Sequence, residues 1–250
     1  MLTMLKKHLD RNPRISLEQE IRENLAFAYR ILAKLNMDDL TYTHLSARLP
    51  GATQYYIYPL GQLFSEVTPD NLLTVTLEGE ILEGSEAQYN QTGYSTHSSI
   101  YRARPDVNAI FHLHTTMGTA VSAMECGLLP ISQFSFHFYD RLAYHQYNSL
   151  VLDEKIQGRQ LASDLENHKV MFLRNHGTLT CGSTIHEAFF YAYYLEQACK
   201  VQCAALASGQ SLVHPSPEVC EKAAQDMRNF ESDLGFRDFQ ALKRKYSELT

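Results

Sequence analysis

A single α/β domain is the fold class that the sequence predicts, on three observations. Short apolar runs of strand character alternate with longer segments of helical spacing along the 250 residues. No repeat, linker or low-complexity tract marks an internal boundary. Hydrophobic residues make up 44% and charged residues 20%, which is enough to fill one core without staples. The expected unit runs over 1–250, with a core over 17–210 and C-terminal helices over 216–248.

Residues 1–15 look like a loosely held arm. Ser16 with Gln19 has the spacing of a capping box. Leu17, Ile21, Leu25, Ala28, Leu32 and Leu35 then recur at helical spacing, until Asn36, Asp38 and Asp39 end the helix. Tyr55–Tyr58 and Leu72–Leu77 read as strands, with Pro59 and Gly61 punctuating the turn between them. Glu78-Gly79-Glu80 is a second turn, leading to Ile81-Leu82. A short helix over 95–103 stops before Pro105, and Ala109–His114 reads as a strand. Thr119–Cys126 suggests a helix closed by Gly127. A helix over 155–167 precedes a buried strand at Val170–Leu173, the turn Asn175-His176-Gly177 and a partner strand at Leu179–Cys181. A long helix follows from Thr184 to Ala207, then helices over 216–233 and 236–248. Short strand-turn-strand pieces leave room for antiparallel pairing.

Charge and cysteine usage exclude several classes. The formal net charge is -6, and no long basic stripe exists to neutralise phosphates, so nucleic acid is not an expected partner. Lys243-Arg244-Lys245 is too short for that role and reads as a solvated helix end. The five cysteines (Cys126, Cys181, Cys199, Cys203 and Cys220) are scattered through apolar segments, unlike a disulfide framework. Cys199 and Cys203 share a helix face without a second pair to complete a zinc site. No apolar run approaches the length of a membrane span, and the first fourteen residues are too polar for a signal peptide, so a cytoplasmic location is expected.

His112-Leu113-His114 is the feature that carries chemistry. On a strand, side chains two apart share a face, which sets two imidazoles side by side as a chelate for a divalent ion. Taken alone, the pair is equally compatible with one hydrogen-bonded and one exposed histidine. His176 follows a buried strand, at a turn of the kind where α/β sheets place functional groups, and Gly177 is expected to allow the tight backbone that turns its ring inward. Cupins would need many short strands and a nearby Glu after the pair, whereas Thr115-Thr116-Met117-Gly118 follows here. The metallo-β-lactamase pattern continues with Asp and His, which are likewise absent.

The segments Ser98-Ser99-Ile100-Tyr101-Arg102-Ala103-Arg104-Pro105-Asp106-Val107, Ile110-Phe111-His112-Leu113-His114-Thr115, Ala120-Val121-Ser122-Ala123-Met124, Cys126-Gly127-Leu128-Leu129-Pro130 and Leu173-Arg174-Asn175-His176-Gly177 together resemble the class II aldolase/adducin family. The resemblance spans roughly 17–210 and is strongest to adducin heads and their stand-alone bacterial relatives. It implies a three-layer α/β/α sandwich with a mainly antiparallel sheet. It also implies one Zn2+ per subunit on His112, His114 and His176, acting as a Lewis acid on a sugar phosphate or similar hydroxy-carbonyl compound. Catalytic members are cyclic tetramers with sites at subunit contacts, so a homo-oligomer, specifically a tetramer, is expected.

The same resemblance exposes departures. Catalytic members carry an acidic residue upstream of the pair, and the matching position here is Gly93, which has no proton to trade. Tyr94 beside it is a poor base near neutrality, and Glu86 is several residues out of register. The family's phosphate-cradle positions fall on Thr43-His44, Leu60-Gly61 and Gln91-Thr92. Gly61 and Thr92 could still hold an anion, and His44 could add a positive charge. His97 is either a support for the metal ligands or plain packing, and Arg174 is expected to brace its turn. The aromatic run Phe134–Tyr139, with His137 and Tyr139, is expected to fill core, and the cluster Phe189, Phe190, Tyr191, Tyr193 and Tyr194 to bury against the sheet or a neighbouring subunit.

Three functions follow: a zinc-dependent lyase or epimerase, a non-catalytic adducin-like module for binding or assembly, and a hydrolase or dehydratase using zinc-bound water. Adducins add a long basic-ended tail that contacts the membrane skeleton. The chain stops at Thr250, so actin or spectrin binding is not expected.

Overall fold

The computed structural model describes residues 16–84 and 86–250, so the expected N-terminal arm lies outside the described residues. Helix α1 (Leu17–Lys34) opens where predicted, with the Ser16 hydroxyl accepting from Gln19 N at 3.1 Å. The Gln19 side chain does not reach back; it donates to Glu23 at 3.0 Å, so only half the capping box forms. Leu25, Ala28 and Leu32 are fully buried along the predicted stripe.

Among the described residues, eight strands form one sheet. They are β1 (His44–Ala47), β2 (Gln54–Ile57), β3 (Leu73–Thr76), β4 (Ile81–Glu83), β5 (Ala109–Leu113), β6 (Leu142–His145), β7 (Val170–Leu173) and β8 (Gly177–Gly182). Their order across the sheet is β4-β3-β2-β1-β5-β8-β7-β6. Every neighbouring pair is antiparallel except β6 and β7. Strands β1 and β6 escape sequence reading because each is only four residues long, too short for a period-two pattern to stand out, and β6 lies at the sheet edge.

Helices cover both faces. Alternate residues of β1 sort the layers: His44 and Ser46 meet α2 (Gln91–Ala103), while the main chain at Leu45 is held by Tyr29 of α1. Helix α5 (Arg159–Leu165), entered through a widened turn at Glu154–Gly158, packs with α2. Helix α6 (Ile185–Ala207) runs on the α1 side beneath β5 and β8. Short helices α3 (Thr116–Ser122) and α4 (Gln133–Phe136) pack on α6, and α3 both begins and ends earlier than the sequence suggests. Helices α7 (Pro217–Phe230) and α8 (Phe236–Lys245) finish the chain, and Phe239 of α8 is clamped edge-on by Phe27 and Phe189. The architecture is the three-layer α/β/α sandwich with a mainly antiparallel sheet.

The arginine-rich segment between α2 and β5 is structural. Arg104 grips Asp106 with two contacts at 2.8 and 2.7 Å and donates to the carbonyls of Glu166 and His168. Arg48 donates to Val107 O at 3.0 Å and stacks on Tyr101. These bonds fix where β5 begins, and therefore where His112 sits.

Tyr29 holds β1 from below the sheet. Its hydroxyl accepts from Leu45 N at 2.9 Å and donates to Leu45 O, where the β1–β2 ladder has run out. Tyr29→Phe leaves a buried N–H and C=O of Leu45 without that partner. It is expected to cost about 1–3 kcal/mol in urea unfolding, with the helical circular dichroism of the native state retained.

Candidate metal centre

The register of β5 and its continuation bring the first two histidines together as the alternation predicts. His112 and His114 stand with their Nε2 atoms 3.0 Å apart. The β7–β8 turn supplies the third: the ring centres of His176 and His112 are 4.8 Å apart, and those of His176 and His114 4.7 Å. One ligand atom from each ring lies within 4.8 Å of the others.

The turn is built differently from expectation. Gly177 does not adopt a left-handed conformation; Asn175 does, at φ 57°. Gly177 is required by close approach instead, because a Cβ there would stand 2.5 Å from Leu113 O and 3.0 Å from the His114 ring. His176 N closes the turn on Leu173 O at 3.0 Å.

Two of the rings have their orientation fixed from behind. His112 Nδ1–H donates to Thr178 O at 3.0 Å, and His114 Nδ1–H donates to Asp39 Oδ2 at 2.8 Å. Both bonds put the ring proton on Nδ1 and leave Nε2 as a bare lone pair. Two lone pairs facing at 3.0 Å repel unless a cation stands between them. Asp39 was not foreseen: the sequence shows it only as the end of a helix, and nothing in its spacing points to His114. The loop that presents it carries Leu40 at φ 48°, a backbone conformation costly for leucine.

Burial also disfavours the protonated form of two of the three rings, those of His112 and His176. His112 is held well below the ordinary imidazole range by desolvation, then by His114, His176 and His44. His176 is lowered to about 4 by burial, with His114 and His145 adding to it. Metals take neutral imidazole, so these shifts favour ligation.

Behind the triad lies a second pair. His44 on β1 is the register partner of His112, and their ring centres are 4.9 Å apart. His44 Nδ1 is 2.9 Å from His97 Nε2, and His97 Nδ1 is hydrogen-bonded to Ser46 Oγ, which is 2.8 Å from Tyr101 OH. His44 is lowered to about 3 by burial and then by His114 and His176, so it brings no positive charge. His97 is also held well below the usual range, by burial and by His44. The space beside Gly93 is filled by the His44 ring. A Cβ on Gly93 would lie 3.1 Å from both Cγ and Cδ2 of His44. No carboxylate joins the three ligand atoms among the described residues.

The remaining candidates lie apart from the triad's hydrogen bonds. Thr92 uses its hydroxyl on Asn90 Oδ1 at 2.7 Å, inside the cap of α2. Gly61 is an exposed turn residue at φ 91° with open space around it. Arg174 braces, as expected, by donating to Met124 O at 2.6 Å and covering the Tyr144 ring. Phe138 is core, whereas His137 sits against Phe190 and Tyr194 at the side of a broad cleft along α6 and α7. That cleft holds no comparable trio of metal donors among the described residues.

The depressed histidines set a pH dependence. Their folded values lie below the unfolded value near 6.5, so the unfolded chain binds more protons in between, and stability rises with pH across that window. The metal-free protein is expected to hold full stability above pH 6.5 and to lose it on acidification toward 4. The slope is about 1.4 kcal/mol per pH unit for each histidine involved. Urea unfolding between pH 4 and 8 measures this, and His44→Phe should flatten the slope.

Residues 23–203 match the Class II Aldolase and Adducin N-terminal domain family. An aldolase II superfamily protein of Pseudomonas syringae is 40% identical, with a TM-score of 0.84 and 94% of each chain covered. The L-fuculose 1-phosphate aldolase of Glaciozyma antarctica is 28% identical, with a TM-score of 0.81, over 95% of this chain and 96% of that one. Alpha-adducin of Mus musculus is 39% identical over 194 residues, which are 76% of this chain and 26% of that protein. The folding pattern and the sequence match agree: the chain belongs to the class II aldolase and adducin family.

Proposed function

We propose that the chain holds one zinc ion per subunit on His112, His114 and His176 and acts on a small hydroxy-carbonyl substrate, such as a sugar phosphate, as a lyase or epimerase. The observation that carries the metal is the pair of bare Nε2 atoms facing at 3.0 Å, each fixed by a bond at Nδ1. Three nitrogen donors suit zinc in a catalytic setting, where a fourth position is left to water or substrate. Zinc held there supplies a Lewis acid toward a carbonyl or hydroxyl oxygen. The chain's own part is to orient the rings: Asp39 aligns His114, Thr178 O aligns His112, and the Asn175–Gly177 turn delivers His176.

A homo-oligomer, most simply a tetramer, belongs to the same proposal. Tyr147 is exposed, and its ring lies 6.2 Å from the His176 ring. It gives the triad an exposed aromatic neighbour suited to cover by another subunit. Among the described residues no helix is long and apolar enough to cross a membrane, and a cytoplasmic setting is part of the proposal.

A second function has its own support. Gly93 packs against His44 where catalytic relatives carry their acid, which favours an adducin-like module for binding or assembly without turnover. Zinc-loaded protein tested against a panel of sugar phosphates and hydroxy-acids separates the two. Turnover supports the lyase or epimerase; a stable oligomer inert to the whole panel supports the module.

For the metal itself, elemental analysis of purified protein is expected to give about one zinc per subunit. His112→Ala should bring it to background, and unchanged content would refute the site. Asp39→Asn should keep the fold but weaken zinc roughly 10- to 100-fold in competition with a chelator, because it removes the group that orients His114.

A further inference from the structure

The chain Tyr101–Ser46–His97–His44 runs from the core toward the triad, and its proton directions can be worked out from one end. Tyr101 is almost fully buried, and burial keeps its hydroxyl protonated. Among the described residues that hydroxyl has one hydrogen-bond partner, Ser46 Oγ, so it must donate there or leave its proton stranded in the core. Ser46 then has its own proton for His97 Nδ1, its other side-chain partner. With Nδ1 accepting, the neutral His97 ring carries its proton on Nε2 and donates to His44 Nδ1. His44 in turn must carry its single proton on Nε2. That atom has no hydrogen-bond partner among the described residues, yet it is not among the sealed, unsatisfied polar atoms. The other edge of the ring, at Cγ and Cδ2, is turned to Gly93, and the ring stands 4.9 Å from that of His112.

We propose that His44 is a fixed neutral hydrogen-bond donor, offering Nε2–H to an oxygen of the ligand held beside the triad, and that Gly93 is glycine because this ring fills the space of the family acid. The inference rests on zinc at His112, His114 and His176. Its ligand class is the small hydroxy-carbonyl compound proposed above, one oxygen of which accepts from that N–H. Among the described residues no arginine or lysine is hydrogen-bonded into the cluster. His44 therefore neither ligates the metal nor supplies charge; it positions a ligand oxygen.

Two measurements test this. Nitrogen-15 NMR of metal-free protein should show His44 protonated at Nε2 and bare at Nδ1, and the reverse tautomer would overturn the proposal. Calorimetric titration of zinc-loaded protein with glycolohydroxamate should show His44→Phe binding roughly ten- to a hundredfold more weakly than wild type. Zinc content should be unchanged, and His44→Gln, which retains an N–H donor, should recover part of the affinity. Equal affinity in wild type and His44→Phe, or loss of zinc from His44→Phe, would overturn it. Wild type that takes up no zinc would refute the metal site instead, and the tautomer would then decide on the donor alone.

Discussion

The antiparallel pairing of β5 with β8 is the constraint on which the site depends. It sets Leu113 opposite Thr178, and so puts the Thr178 carbonyl within reach of His112 Nδ1. The same pairing brings the β7–β8 turn against the end of β5, where the lack of a side chain on Gly177 lets the two backbones close. A one-residue slip would turn His112 to the α6 face and separate it from His44 and His97. Convergence of the three rings is thus a property of sheet register before it is a property of any single histidine.

A buried polar relay adjoins the triad. Here Gly93, His44 and His97 interlock, and the relay ends on a serine and a tyrosine with no path to solvent through a titratable carboxylate. Such a group can hold a ligand oxygen in place without exchanging protons at neutral pH. A histidine triad that no carboxylate joins among the described residues suits either a changed reaction or binding without one.

How much of this was legible in the sequence follows from what each interaction needs. The His112–His114 pair was readable because strand alternation is local and has period two. His176 was readable as a candidate through its position after a buried strand, and the family pattern tied it to the pair. Asp39 was not readable, because its contact with His114 spans 75 positions and depends on how the loop after α1 folds over β5. A histidine in a sequence suggests a charge at position 44, whereas burial beneath α2 holds the His44 ring below the usual imidazole range. Helix α1 was legible through its apolar stripe, and α6 through its length between the Thr184 cap and Gly209. Strand β1 was not, because four residues are too few for a period-two pattern to stand out.

Anomalous X-ray scattering at the zinc absorption edge, on crystals of protein purified without added chelator, is the most direct measurement. One peak per subunit, bounded by the Nε2 atoms of His112 and His114 and a ring nitrogen of His176, is the predicted result. Diffraction showing these three rings without any anomalous peak, after zinc is supplied in excess, would contradict the account.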